Sequence, residues 1–335
     1  MAEAPYVSKR LVTVFGGSGF IGRYVVRALV RRGWRVRVAV RRPDLAGFLQ
    51  PLGDVGQIHA VQANLRYPAS IASALIGADA AINLAGIQRQ QGRQNFEAVH
   101  VFGAREIARA AATQGGGILV HGSGIGADAN SSSAYIASKG RGEAAVREAF
   151  PNAIILRPSV VFGPEDDFLN RFALLARYMP ALPLFGGGAA KMQPAYVGDI
   201  GEAAAQAIEG RAKPGETYEL GGPEAMSLRE IAAFVCHETD RRRALIPVPL
   251  GIARLMAGGT ELASTLSLGL FPKALTTTRD QVELLRSDNL VSAAAVAEGR
   301  TLQGLGIVAQ GMEAIAPAYL YRFRKTGQFA SSGAT

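Results

Sequence analysis

The run Val12-Thr-Val-Phe-Gly-Gly-Ser-Gly-Phe-Ile-Gly22 decides the fold of this 335-residue chain. Its β-branched first part predicts a buried strand, and the glycines after it open a helix that stops at Gly33. The free N–H groups and positive dipole end of such a helix attract a pyrophosphate, and glycine lets the backbone come close. Glycine spacing alone is weak evidence, but here the glycines lie between the first strand and the first helix. The segment therefore predicts a dinucleotide turn rather than a plain strand–helix connection, with contacts from Gly16, Ser18, Gly19, Phe20, Ile21 and Gly22.

Strand and helix patterns alternate after this turn. Apolar alternation predicts strands over residues 35–40, 58–62, 80–84, 118–121 and 154–163. Helical stripes between them cover residues 70–77, 96–113 and 131–150. This order predicts an α/β protein with a Rossmann doubly wound parallel sheet, in which ligands lie at the carboxyl ends of the strands.

The strict alternation ends near residue 165, which predicts a smaller C-terminal α/β lobe. We expect a helix over 167–178, a loop over 182–188, a strand over 193–197, a helix over 200–209 capped by Asp199, a strand over 217–220 and a helix over 228–238. The predicted nucleotide-binding domain covers residues 1–165 plus about 190–210. The smaller lobe then covers 166–327, with a disordered tail over 328–335.

Loops at the predicted strand ends supply the other cofactor contacts. Arg41 and Arg42 follow the second strand, where two guanidiniums favour the 2′-phosphate of NADPH (NADP) over the free ribose of NAD. The alternative is that both arginines are solvated loop residues. The remaining predicted contacts are Asn64 and Leu65 beside the adenine, Leu84, Ala85 and Gly86 near the cofactor, and Pro158 with Val161 beneath the nicotinamide.

A reactive set follows the fifth predicted strand. Tyr135 and Lys139 lie one helical turn apart on the same face, and Ser123 lies at the strand end. A tyrosine hydroxyl at this place exchanges a proton with a carbonyl or alcohol while hydride moves to or from nicotinamide. We expect the Lys139 ammonium to make the phenolate accessible, and Ser123 to polarise the substrate oxygen. The three residues are thus candidates for both catalysis and cofactor binding.

Composition limits the kinds of ligand, partner and cellular location that we expect. The net charge of +9 reflects either an arginine bias or attraction to an anionic cofactor, membrane surface or acidic partner; without a recognition motif, nucleic acid is not expected. The single Cys236 excludes an internal disulfide, and the four histidines lack metal-ligand spacing, so no metal is expected. No signal peptide or transmembrane segment is evident, which predicts a soluble or peripheral protein.

Residues 247–272 are apolar and almost uncharged. This composition is typical of a core helix pair, but it also fits a surface that docks on a membrane or in a larger assembly. A polar helix is expected next, over 278–289, and a last helix over 312–323.

Several of these motifs together resemble the short-chain dehydrogenase/reductase superfamily, in its atypical or extended branch. The resemblance covers about residues 11–240 and rests on the glycine turn, Asn83-Leu-Ala-Gly86, the Tyr135/Lys139 pair and Arg157-Pro158. It implies a nicotinamide cofactor and, where the serine, tyrosine and lysine are active, an oxidoreductase or epimerase.

A narrower resemblance covers nearly the whole chain. Residues 92–100, 156–171, 193–199 and, most specifically, Thr278-Arg-Asp-Gln-Val-Glu-Leu-Leu-Arg-Ser-Asp-Asn289 are similar to the family of NADPH-binding accessory subunits of respiratory complex I, in an α-proteobacterial form. That resemblance implies an assembly and stability role without turnover. It places the protein beside other subunits on the peripheral arm of the complex near the quinone site, on the cytoplasmic side of the inner membrane. An anionic membrane surface or lipid is the other partner that it implies.

Two departures from that family pattern leave a second hypothesis open. The Tyr135/Lys139 pair is intact, which is compatible with an active NADP-dependent oxidoreductase or epimerase, and the loop over 87–92 is unexpectedly polar. A third hypothesis is a cofactor-sensing module without enzyme activity.

Overall fold

The computed structural model describes residues 10–90, 92–114, 117–266 and 278–325. The expected disordered tail over 328–335, residues 1–9 and part of the apolar 247–272 stretch lie outside these residues. The strands are β1 (Leu11–Phe15), β2 (Arg35–Val40), β3 (Ile58–Gln62), β4 (Ala80–Asn83), β5 (Ile118–Gly122), β6 (Ile154–Pro158), β7 (Val161–Phe162), β8 (Ala181–Phe185), β9 (Lys191–Met192), β10 (Ala195–Tyr196), β11 (Thr217–Leu220), β12 (Met226–Ser227) and β13 (Ala244–Val248).

Helices connect the strands, and five of them, α1 to α4 and α6, cover the faces of the main sheet. They are α1 (Phe20–Arg31), α2 (Pro68–Leu75), α3 (Ala104–Thr113), α4 (Ala134–Ala149), α5 (Leu169–Tyr178), α6 (Val197–Ile208), α7 (Leu228–Glu238), α8 (Leu250–Leu266), α9 (Arg279–Leu284), α10 (Ala293–Ala297), α11 (Met312–Ile315) and α12 (Pro317–Leu320). A π-helical segment, Glu97–Gly103, leads directly into α3.

The main sheet has seven parallel strands in the order β11-β6-β5-β4-β1-β2-β3. The chain moves outward from β1 to β3, then returns to the other side of β1 with β4. The strand order therefore reverses between β1 and β4, which is where doubly wound sheets bind their ligands. This confirms the predicted Rossmann fold.

Two hydrophobic cores hold the helices to the sheet. The first includes Val14 and Val38 of the sheet, Leu29 of α1 and Ala204 of α6. The second, on the opposite face, includes Ile71 of α2 and Ile107 of α3, with further contributions from α4. The alternation of buried side chains along β1 and β2 supplies both faces, because successive strand residues point in opposite directions.

A third core joins α5, α7 and the C-terminal helices α11 and α12. Asp166 lies beneath it, with both carboxylate oxygens accepting hydrogen bonds. Oδ2 accepts from the Tyr319 hydroxyl at 2.9 Å and from the Gly163 amide at 2.9 Å, and Oδ1 accepts from the Phe168 amide at 2.8 Å. These bonds fasten the last helices to the exit of β7.

Several predictions beyond residue 165 are wrong in detail. The expected loop over 182–188 contains β8, which pairs in parallel with β13. Strand 217–220 was expected in the smaller lobe, but β11 pairs with β6 at the edge of the main sheet. Leu302, Leu305 and Ile307 also pack in the first core of that sheet. The overall division into two domains stays a prediction.

Helix boundaries supply two further corrections. Helix α6 begins at Val197, so Asp199 lies inside its first turn and does not cap it; its carboxylate accepts a hydrogen bond from the Gln310 amide at 2.7 Å. The single helix expected over 312–323 is divided into α11, α12 and a final 3-10 turn, with Pro317 opening α12.

Candidate functional site

The glycine turn has the close backbone packing that a phosphate-binding loop needs. Gly16 has φ +77°, and a Cβ there would lie 2.9 Å from the Leu84 carbonyl carbon. A Cβ on Gly22 would lie 2.3 Å from the Gly16 carbonyl oxygen. Gly19 precedes α1 without a side-chain cap, so the first amides of that helix keep their N–H groups for a ligand.

The loop after β4 runs directly against this turn. A Cβ on Gly16 would lie 3.0 Å from the Ala85 amide nitrogen, and a Cβ on Gly86 would lie 3.5 Å from Lys139 Nζ. The structure therefore brings the predicted contacts at residues 84–86 between the glycine turn and the lysine. This arrangement fits an elongated dinucleotide along the strand ends.

The predicted adenosine contacts lie around the ends of β2 and β3. Arg41 is exposed, whereas Arg42 donates to Asp44 in an exposed ion pair of 2.6 Å. Asn64 Oδ1 accepts from the Arg66 amide at 3.2 Å, which shapes the turn into α2, and Leu65 packs beside Gly103. A 2′-phosphate would thus meet Arg41, which has no ion pair with another described residue, and Arg42, which is already paired with Asp44.

Ser123 follows the carboxyl end of β5, and Tyr135 and Lys139 lie in the first turns of α4. Lys139 Nζ lies 5.9 Å from the centroid of the Tyr135 ring and donates to the Gly122 carbonyl over 3.4 Å. Ser123 is buried, and its Oγ is one of two buried side-chain atoms without a hydrogen-bond partner in the described chain. An unsatisfied buried hydroxyl at this place fits a site that completes its hydrogen bonds with a ligand.

The electrostatics of this pair differ from the sequence-based expectation. Burial raises the pKa of Tyr135 to about 12, and the Asp280 charge acts in the same direction. Burial also lowers the pKa of Lys139 to about 8, opposed by the nearby Glu143 carboxylate. The expectation that Lys139 makes the phenolate accessible is therefore wrong for this structure. Tyr135 keeps its proton at neutral pH and is suited to donate it.

His100 belongs to the site but was not predicted. Its Nε2 accepts from the Ile87 amide at 3.0 Å, so Nδ1 carries the proton and donates to Ser138 Oγ at 2.8 Å. Ser138 Oγ in turn donates to the Tyr135 carbonyl at 2.7 Å. Burial, helped by Lys139, lowers the pKa of His100 to about 3, so the ring stays neutral. A lone histidine in an apolar helical stripe gave no signal of this role.

Asn289 was also missed as a contact of the site. Its backbone pairs with Met192, and its side chain meets Ser159, one residue after the predicted contact Pro158. Pro158 accepts from the Ile125 amide at 3.0 Å, and Val161 pairs with Ala195. A residue 130 positions away in sequence gives no local pattern that would connect it with Ser159.

The apolar stretch begins in β13 and continues in one long helix, α8, as far as the structure describes it. Its exposed side chains include Ile252, Leu255 and Met256, and Leu255 is 77% exposed. No helix among the described residues combines the length and hydrophobicity needed to cross a membrane.

Known proteins resemble this chain in sequence and in fold. The chain is 32% identical over 324 residues to NADH dehydrogenase (ubiquinone) 1 alpha subcomplex subunit 9 of Arabidopsis thaliana mitochondria, covering 96% of this chain and 80% of that protein. It is 33% identical over 304 residues to the ceramide reductase of Caulobacter vibrioides, covering 87% of this chain and 89% of that protein. Among solved structures, an NADPH-dependent quinone oxidoreductase from Escherichia coli, complexed with NADPH, superposes with a TM-score of 0.71 at 19% identity, covering 92% of this chain and 99% of that one.

A family model matches the part of the chain that holds the glycine turn, the Tyr135 helix and the main sheet. The match extends over residues 12–221 and ends just after β11, the last strand of that sheet. By this match, the chain belongs to the NAD dependent epimerase/dehydratase family.

Proposed function

We propose that this protein is an NADPH-binding accessory subunit of respiratory complex I that holds its nucleotide without turnover. The observation that carries the proposal is the extent of the similarity. The family model ends at residue 221, whereas the similarity to the complex I subunit covers 96% of the chain. The C-terminal residues beyond the family domain are thus shared with a protein named as part of that complex.

The choice of NADPH follows from charge at the end of β2. Arg41 is exposed there, and no carboxylate precedes Asp44 to accept from a free ribose 2′-hydroxyl. Asp44 is itself paired with Arg42, which reduces its repulsion of a phosphate. These features favour a 2′-phosphate, because guanidinium binds phosphate through paired hydrogen bonds.

The docking site that we propose is the peripheral arm of the complex near the quinone site, on the cytoplasmic side of the inner membrane. Exposed apolar side chains on α8 and the net charge of +9 support attachment to neighbouring subunits beside an anionic membrane surface. Lipid contact would add to this attachment without a membrane-spanning helix.

The decisive experiment is to purify the native protein from membranes and identify what accompanies it. We expect complex I subunits and close to one NADPH per chain, released by acid extraction and separated from NADH by chromatography. Deletion of the gene should reduce the amount of assembled complex. A protein that purifies alone, with the complex unaffected by the deletion, would overturn the proposal.

A second candidate function is an NADP-dependent reductase acting on a lipid-like ketone. It is favoured by the unsatisfied Ser123 hydroxyl beside a protonated Tyr135, and by the relative named ceramide reductase. In that function Ser123 would hold the carbonyl oxygen and Tyr135 would protonate it as hydride arrives from the nicotinamide. NADPH oxidation with ceramide-like ketones measures this directly.

A further inference from the structure

Residues 278–291, here called the strap, connect two walls of the nucleotide site. Ser159 Oγ donates to Asn289 Oδ1 at 2.6 Å, and Asn289 Nδ2 donates to the Ile125 carbonyl over 3.4 Å. Ser159 follows β6, and Ile125 lies in the loop that begins with Ser123 after β5. Asn289 therefore bridges the exits of the two strands that end beside the nicotinamide position.

The same end of the strap is held by further hydrogen bonds. The Asn289 amide donates to the Lys191 carbonyl at 2.8 Å, and the Lys191 amide donates to Asp288 Oδ1 at 2.8 Å. The Val291 amide donates to Gln193 Oε1 at 3.0 Å. These contacts fix the C-terminal part of the strap on β9 and its exit, so it moves with the walls of the site.

The N-terminal part of the strap reaches α8 through one carboxylate. Glu283 of α9 accepts from Ser132 Oγ at 3.0 Å, three residues before Tyr135. It also pairs with Arg254 of α8 and with Arg286 at 3.1 Å. The Glu283 side chain is only 12% exposed, and the hydrogen bond from Arg254 lowers its pKa, so it is ionised at neutral pH. Glu283 thus links Ser132, just before the helix that carries Tyr135, to the strap and to α8.

We propose that the strap, acting through Glu283, makes the position of α8 depend on nucleotide occupancy of the site. This inference rests on the nucleotide binding proposed above. A nucleotide that contacts Ser123 and Tyr135 restricts the loops after β5 and before α4, and the strap is bonded to both. Binding therefore favours the state in which Glu283 holds Arg254, because a ligand stabilises the conformation that it contacts best. The exposed face of α8 would then be presented in one fixed position.

The test is amide hydrogen exchange of the full chain with and without NADPH. For the native protein we expect NADPH to slow exchange in residues 250–260 by about tenfold, because exchange there requires a local opening that the docked state suppresses. Glu283→Gln removes the charge that holds Arg254, so the slowing in α8 should fall to about twofold or less. NADPH affinity should stay within about threefold of the native value, because Glu283 lies outside the nucleotide contacts.

Glu106→Gln is the matched control. The Glu106 side chain is 13% exposed and pairs with Arg109 at 3.2 Å in the same i,i+3 relation that joins Glu283 to Arg286. It also pairs with Arg105 at 3.3 Å, so it loses a comparable pair of contacts on α3, and neither of these arginines belongs to the strap or to α8. We expect this variant to keep the full NADPH-dependent slowing in α8.

A second variant covers the case in which Glu283→Gln fails to fold. Ser132→Ala removes only the hydrogen bond to Glu283 and should give a partial loss of slowing. NADPH fluorescence in the same samples separates the outcomes. Nucleotide bound without any change in α8, or full slowing retained in both variants, overturns the coupling alone. Absence of NADPH binding overturns the proposed nucleotide function and the coupling together.

Discussion

The Arg157 guanidinium donates two parallel hydrogen bonds to the Glu143 carboxylate, from Nε to Oε1 at 2.8 Å and from Nη2 to Oε2 at 2.7 Å. This pair joins β6 to α4, the helix that carries Tyr135 and Lys139. Glu143 is buried, and its charge raises the pKa of Lys139 against the effect of burial. One ion pair thus positions the helix and supports the charge of its lysine.

Glu143→Gln should destabilise the protein by about 2–3 kcal/mol, because the partly buried Arg157 loses its bidentate carboxylate and is left with the longer 3.9 Å ion pair to Glu219. Urea unfolding at pH 7 measures the change. Glu97→Gln is the control, since the Glu97–Arg141 pair also involves α4 but has a 3.3 Å contact between exposed side chains. That variant should change stability by less than about 1 kcal/mol. Equal losses in the two variants would contradict the structural role given to Glu143.

Tyr135→Phe separates the two candidate functions. For an accessory subunit, we expect NADPH content and complex I assembly to stay at native levels, because the phenylalanine ring preserves the contacts with Phe96 and His100. For a reductase, turnover should fall by at least about a hundredfold, since a general acid is lost. The measurements are nucleotide content, assembled complex and NADPH oxidation on the same preparation.

Arg41→Ala combined with Arg42→Ala should weaken NADPH binding more than NADH binding. Removing the guanidiniums costs about 1.5–3 kcal/mol for a charged phosphate partner and little for a hydroxyl. Asp44→Ala acts in the opposite direction, because it frees Arg42 from its ion pair and should tighten NADPH. Fluorescence titration of both nucleotides gives the ratio, and equal losses for NADPH and NADH would exclude a 2′-phosphate contact.

Asp199 makes stability depend on pH. Burial raises its pKa to about 6, with the Glu202 charge adding to the effect and the Gln310 amide opposing it. The folded state therefore binds the Asp199 proton more tightly than the unfolded chain does. This proton binding stabilises the fold fully below the ordinary pKa of an aspartate, and the stabilisation is lost as pH rises through the folded-state pKa of about 6.

Asp199→Asn should accordingly raise stability by about 1–2 kcal/mol at pH 7.5, with the advantage disappearing towards pH 4. Urea midpoints measured from pH 4 to 8 test this, with Glu313→Gln as an exposed control on the segment after Gln310. A constant difference across the whole pH range would mean that Asp199 does not titrate as described.

Gly22→Ala should abolish nucleotide binding and destabilise the fold. The added methyl group would lie 2.3 Å from the Gly16 carbonyl and 2.6 Å from Gly17 Cα, and neither backbone atom has room to move. Gly251→Ala is the control, because nothing lies within 4 Å of a Cβ in that helix position. The control should gain up to about 1 kcal/mol from its better helix propensity. Thermal unfolding and NADPH titration follow both variants.

The regular part of the fold was predictable because local patterns and tertiary structure agree there. β2 and β3 have the predicted bounds, since both are short runs rich in β-branched and apolar residues. Thr217–Leu220 also has the predicted bounds, but its own sequence does not indicate that it pairs with β6 in the main sheet. The short β8 and β13 strands were missed because Pro183 and Pro247 interrupt their patterns, as edge strands tolerate.

The loop after β4 lies between the glycine turn and Lys139, as predicted, and Lys139 lies near Tyr135, but their supporting contacts were not predictable. The roles of the predicted residues in cofactor binding stay predictions. His100 and Asn289 act through backbone partners brought close only by the completed fold. The direction of the Tyr135 pKa was missed for the same reason, since burial of a side chain depends on every element packed around it. The local sequence therefore predicts the motif, whereas the pKa values of its side chains depend on the tertiary structure.

The placement of β11 at the edge of the main sheet has a consequence for biosynthesis. A nascent chain that has left the ribosome only as far as β6 exposes the hydrogen-bonding edge of that strand, which β11 later covers. Leu302, Leu305 and Ile307 arrive later still to complete the first core. Truncation after β6 should therefore give a fragment that aggregates. For the same reason, chaperones should protect the nascent chain until almost the last helices have been synthesised.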